Sequence, residues 1–296
     1  MSERINTPES RRAVRAAWPF YLTVIVLAGV LAGGVAQAFV GESLAALGIP
    51  DPGIATTFGL PALRGVAWML AALAVGSFLF SAFLIPPRLH GAEPASGDLN
   101  GAPLTVDGHI ASRTGAWASA GLALVGITMI PLVLSDVSGQ PLTTVLFQPS
   151  AWSMAIEQVQ DAQVWLLVAV FAGMVAAGGF IASHWWPQVA LLVGAVVAIL
   201  PLALTGHSAT GGNHDYGTNS FLWHLVFMMV WVGALMALVA HGRRLGPGLE
   251  SAVRRYSRVA LFAFVAMLIS GLVNAAVRVQ LADLTQYHYC LLYTSD

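Results

Sequence analysis

Long apolar stretches separated by short polar segments set the pattern of this chain. A bilayer core about 30 Å thick needs roughly 20 apolar residues per helix, because each backbone polar group must be satisfied within its own segment. Seven stretches meet that requirement, at about residues 18–40, 61–85, 115–134, 162–183, 187–204, 221–240 and 259–277. The pattern therefore predicts an all-α fold, a polytopic transmembrane helical bundle of about seven spans.

Composition agrees, with 57% hydrophobic and only 9% charged residues against about a quarter charged in soluble domains. Basic residues near span ends stay on the cytoplasmic side. Here Arg4, Arg11, Arg12, Arg15, Arg88, Arg113, Arg243, Arg244, Arg254, Arg255 and Arg258 fall on one side, and only Arg64 and Arg278 on the other. That bias predicts a cytoplasmic N-terminus and puts the loops at 41–60, 135–161 and 205–220 outside. A net charge of -1 gives no sign of a nucleic-acid partner.

The connection at 86–113 is rich in Gly, Pro, Ala and Asp and reads as flexible. The segments LTTVLF and AWSMAIEQV in the loop at 135–160 read as short helices on the membrane surface. GPG at 246–248 marks a turn, and ESAVRRYSR begins the seventh helix early. The apolar run after the N-terminal arginines is too long for a signal peptide and reads as a retained span. The closing CLLYTSD departs from the rest of the chain. Residues 287–296, with His288 and Cys290, are read as a non-native tail, so that the natural protein continues differently after about Gln286.

Candidate chemistry concentrates between Thr205 and Met236, where His207, His214, Asp215, His224 and Met228 gather at two span ends and the short loop between them. His224, Met228 and Trp231 follow an i, i+4, i+7 spacing and share one helix face. Imidazole and thioether select copper, particularly Cu(I), over hard ions. The candidate metal ligands are accordingly His207, His214, His224 and Met228, with Asp215 placed to orient an imidazole. Histidines near one membrane face can also hold haem, as in a b-type cytochrome, and that alternative stays open, as does a metal-free scaffold for oxidase assembly. His90 and His109 read as solvated loop residues, and His184 and His241 as residues of inner helix ends. Asn274 reads as an interhelical hydrogen-bonding amide, and Met229 and Met236 as packing residues. No phosphate loop, dinucleotide fingerprint, Ser/His/Asp set or HExxH helix is present, so an enzyme is not expected.

GHSA followed by HD, then SFLWHLVFMMVWVGALMAL, a basic loop and RRYSRVALFAFVAMLISGLVNA resemble the CopD copper-resistance family. The elements that carry the resemblance are His224, Trp231 and Gly233, then Arg255 and Ser257, then Gly271 and Ala275. The resemblance spans about residues 162–286, preceded by a tail at 1–17 and an N-terminal membrane region at 18–161. It further resembles the N-terminal half of actinobacterial fusions in which a CtaG-like cytochrome oxidase assembly half follows. It implies a copper ion handled at the bacterial inner membrane for uptake, transport or resistance, with oxidase subunits as possible recipients.

Overall fold

The computed structural model describes residues 17–46, 51–85, 102–204 and 214–278. In chain order its helices are α1 (Ala17–Ala46), α2 (Ile54–Leu79), α3 (Val106–Ser138), the short α4 (Leu142–Leu146) and α5 (Pro149–Gln158), α6 (Gln160–Ile181), α7 (Trp185–Ile199), α8 (His214–His241) and α9 (Leu249–Arg278). All but α4 and α5 belong to helical segments long and apolar enough to span a bilayer, and the described residues contain no strand. The protein is a multi-pass helical membrane bundle, as its apolar pattern predicts.

Helix starts fall earlier than apolarity alone places them, because polar residues can begin a helix at the membrane surface. Thr105 caps α3 by accepting the Gly108 N–H at 3.0 Å, and Asp107 lies in the first turn, where a negative charge suits the helix dipole. Residues 106–113 are therefore helical and not part of a flexible connection. His109, expected in solvent, sits half-buried on α3 and accepts from Arg113 Nε at 3.3 Å. The surface helices expected between the third and fourth spans are α4 and α5.

α2 is the hub and packs on α1, α3, α7 and α8; α6 lies against α3 and α7, and α9 packs chiefly on α8. In the most apolar stretch of the second span 72% of residues are buried, against 11% for the seventh, so α9 stands at the edge of the bundle. The α2–α8 crossing is set by two glycines. A Cβ on Gly233 would run into the Ala72 carbonyl, and one on Gly76 would fall on the Gly233 peptide. Such backbone proximity is how helices associate where no hydrophobic effect drives them together.

At its arginine-rich end α2 passes into a π-turn, Phe80–Leu84. The last carbonyls of a helix have no partner within it, and in lipid each must find one. Here Phe80 O accepts from Ile85 N at 3.1 Å, Ala82 O from Trp185 Nε1 at 2.8 Å and Phe83 O from Arg255 at 3.3 Å. Helices α7 and α9 are thereby tied to the end of α2. His241 ends α8 beside it, buried, with its ring 5.3 Å from Phe80 and Nε2 without a hydrogen-bond partner among the described residues. It thus closes the helix as expected, but with its ring packed inside the bundle. His184 precedes the first residue of α7, and its Nδ1 lies 3.0 Å from Ser183 Oγ.

Arg64, one of the two arginines against the bias, pairs with Asp161 at 3.0 Å where α2 meets α6. Its charge is met within the protein, which makes a position on the arginine-poor side tolerable.

Candidate functional site

From their middles toward the arginine-poor end, α8 and α9 are held together by aromatic and then polar contacts. Phe227 meets Phe262 edge to face at 5.6 Å, and Trp231 meets Phe264 at the same separation. Farther toward the arginine-poor end, His224 takes over. Its Nδ1 lies 3.1 Å from the carbonyl oxygen of Met267, and Ser270 Oγ, which donates to the same carbonyl at 2.9 Å, lies 3.4 Å from that nitrogen.

A carbonyl can only accept, so Nδ1 carries the hydrogen in this contact, and in a neutral ring that tautomer leaves the lone pair on Nε2. A metal-binding histidine is commonly oriented in this way, one ring nitrogen held by a backbone carbonyl and the other left for the ion. Gly271 gives the ring its room, since a Cβ there would lie 3.4 Å from Cε1 and Nδ1.

His224 and Trp231 share the face toward α9, in keeping with their i, i+7 spacing. Met228 is half-buried and packs against the main hydrophobic core, in which Met229 is fully buried. His207 lies outside the described residues. His214 and Asp215 open α8, and their side chains lie outside the described residues. No group of three or more His, Cys, Asp or Glu side chains close enough to hold a metal occurs among the described residues.

Two further residues of α9 belong to this junction. Ser270 is the one that sequence reasoning passed over; its signal was the i, i+4 polar pair it makes with Asn274 in an otherwise apolar span. Asn274 lies one turn beyond Ser270, on the helix stripe that also carries Met267 and Gly271. Its Oδ1 is buried and has no hydrogen-bond partner among the described residues, so the interhelical bond expected of the amide is not made through this oxygen to any of them. Beside the His224 contact, a cavity of about 500 Å³ opens between the helices; its wall is almost wholly apolar, formed by Trp223, Phe227, Ala266, Ile269 and Val273, although Asn219, Ser220 and Ser270 also line it.

The junction thus offers an oriented imidazole, an amide oxygen with no partner among the described residues and an apolar cavity between two apolar helices. Residues 54–215 match the family described as copper resistance protein D-like, N-terminal domain. The chain belongs to that family. It is a copper-related membrane protein, and the matched part runs from the start of α2 to the second residue of α8. It contains His207 and His214 and ends before His224 and Met228; it begins earlier than the 162–286 stretch on which the sequence resemblance rests and overlaps that stretch over residues 162–215.

Among curated proteins, this family member is 25% identical over 205 residues to the uncharacterized protein ML1998 of Mycobacterium leprae, covering 68% of this chain and 29% of the relative. It is 26% identical over 195 residues to the uncharacterized proteins Mb0105 of Mycobacterium bovis and MT0111 of Mycobacterium tuberculosis, covering 66% of this chain and 28% of each relative. The alignments thus span less than a third of those proteins. No solved structure matches the chain.

Proposed function

We propose that this protein binds a copper ion at the arginine-poor face of a bacterial plasma membrane and passes it inward between α8 and α9, as a carrier and not as an enzyme. The observation that carries this reading is the contact of His224 Nδ1 with the Met267 carbonyl at 3.1 Å, which in a neutral ring leaves Nε2 free to ligate a metal.

His207, His214, His224 and Met228 supply imidazole and thioether, the donor types that favour Cu(I). His207 and His214 stand in the stretch leading into α8, where they meet the ion first. His224 lies deeper and holds it against the helix pair, and Met228, one turn on and packed toward the core, is the softer donor on the inner side of that path. Asn274 supplies an oxygen acceptor that has no partner among the described residues, in a segment where an unpaired polar atom is costly, which favours a service to the ion path over a structural one. An arginine bias that puts this face outside makes the ion's source extracytoplasmic. The copper so delivered serves uptake or resistance, with a CtaG-like partner or oxidase subunits as recipients.

The test is copper flux into proteoliposomes of the full chain, compared with His207→Ala and His224→Ala variants. The proposal expects flux in the parent and little in either variant. Equal flux in all three would overturn it.

A further inference from the structure

The arginines of the other membrane face have a use that charge bias alone does not describe. Between the turn at 246–248 and the first turns of α9 lies a cleft of about 420 Å³ lined by Pro247, Glu250, Ser251, Arg254, Arg255 and Arg258. The single carboxylate among them, Glu250, is bonded to Arg254 at 2.7 Å in a pair that is largely exposed and therefore weak. Arg255 is committed to the Phe83 carbonyl at the end of α2, which fixes the cleft beside the membrane-embedded part of the bundle. Arg258 is exposed and has no hydrogen-bond or ion-pair partner among the described residues. Three guanidinium groups against one carboxylate leave the cleft positively charged.

The second observation is the helix face that continues from it. Arg254 and Arg258 are followed at helical spacing by Leu261, Phe262, Val265, Ile269 and Leu272, all on one stripe of α9 and all more than 40% exposed. A basic recess thus opens directly onto a long, uncovered apolar track that runs into the bilayer. That is the shape and polarity of one phospholipid: an anionic headgroup on the guanidiniums, acyl chains along the stripe. A free phosphate would use the recess and ignore the track.

We propose that this cleft and stripe form a specific binding site for an anionic phospholipid, with Arg254 and Arg258 on the headgroup phosphate. Lipid bound there braces α9, which little else in the bundle covers, and holds it against α8. Guanidinium groups suit the role because they bind phosphate oxygens in a bidentate fork.

The test uses the purified full chain in nanodiscs of mixed phosphatidylglycerol and phosphatidylcholine, released into mild detergent, with retained lipid counted by native mass spectrometry. Each arginine near an anionic headgroup is worth roughly fivefold in binding. The parent should therefore retain phosphatidylglycerol over phosphatidylcholine by on the order of tenfold or more, and the Arg254→Gln/Arg258→Gln variant should bring that ratio near one. Glu250→Gln, which frees Arg254, should raise retention. Arg11→Gln/Arg12→Gln, which removes the same charge from the N-terminal segment, should leave the ratio unchanged. No preference in the parent, a preference that survives in the cleft variant, or an equal loss in the N-terminal variant would overturn the site. Displacement of the retained lipid by excess inorganic phosphate would reassign the cleft to a free anion and overturn the lipid reading.

Discussion

His224 Nδ1 lies 3.1 Å from the carbonyl oxygen of Met267, so the seventh span orients the imidazole that the sixth span presents. The histidine is therefore not simply a polar residue tolerated in a span. Its orientation depends on α9, and perturbing α9 should change what His224 can bind.

Gly271 is the most direct handle on that dependence. A methyl group there would just touch the ring, at 3.4 Å, while a larger side chain would push the imidazole off the carbonyl. Disturbing the group that orients a ligand typically costs about 10–100-fold in metal affinity. Gly271→Leu should weaken copper binding within that range and Gly271→Ala by less, as read by competition with a Cu(I) chelator.

Asn274 should show stability and function pulling apart. Its buried Oδ1 has no partner among the described residues, and an unsatisfied buried acceptor costs about 1–3 kcal/mol. Asn274→Leu should raise the thermal midpoint of the detergent-solubilised protein while lowering copper affinity. A lower midpoint would show that the amide is bonded after all.

Gly233 tests the α2–α8 crossing. Its missing side chain lets the helices meet backbone to backbone at Ala72 and Gly76, and overpacking of this kind costs about 1–3 kcal/mol, occasionally more. Gly233→Ala should lower the thermal midpoint clearly. Gly173→Ala, where a Cβ meets nothing within 4 Å, should not.

Trp185 tests the carbonyl accounting at the π-turn. Its Nε1 donates to Ala82 O at 2.8 Å. Trp185→Phe keeps an aromatic ring but removes that donor from the carbonyl, and should cost about 1–3 kcal/mol in unfolding measurements.

The seven spans were legible because a bilayer permits so few solutions to backbone hydrogen bonding. Helix starts were less legible, since Thr105 and Asp107 begin α3 through capping and dipole chemistry that an apolarity count does not register. The residues on which the family resemblance rested acquire separate physical roles in the fold. Gly233 sets a helix crossing, Trp231 packs on Phe264, Arg255 caps a carbonyl of the π-turn, and Gly271 makes room for His224. What sequence could not give was orientation. Helical spacing puts His224 and Met228 near one face, but only the packing shows the imidazole turned to α9 and the thioether against the core.

The central claim, that copper is bound through His224, is tested most directly by titrating the purified full chain with Cu(I) against a competing chelator, alongside the His224→Ala variant. The account predicts one site in the parent whose affinity falls in the variant by at least the roughly 100-fold upper range of an orienting-group loss. Unchanged stoichiometry and affinity in the variant would contradict it.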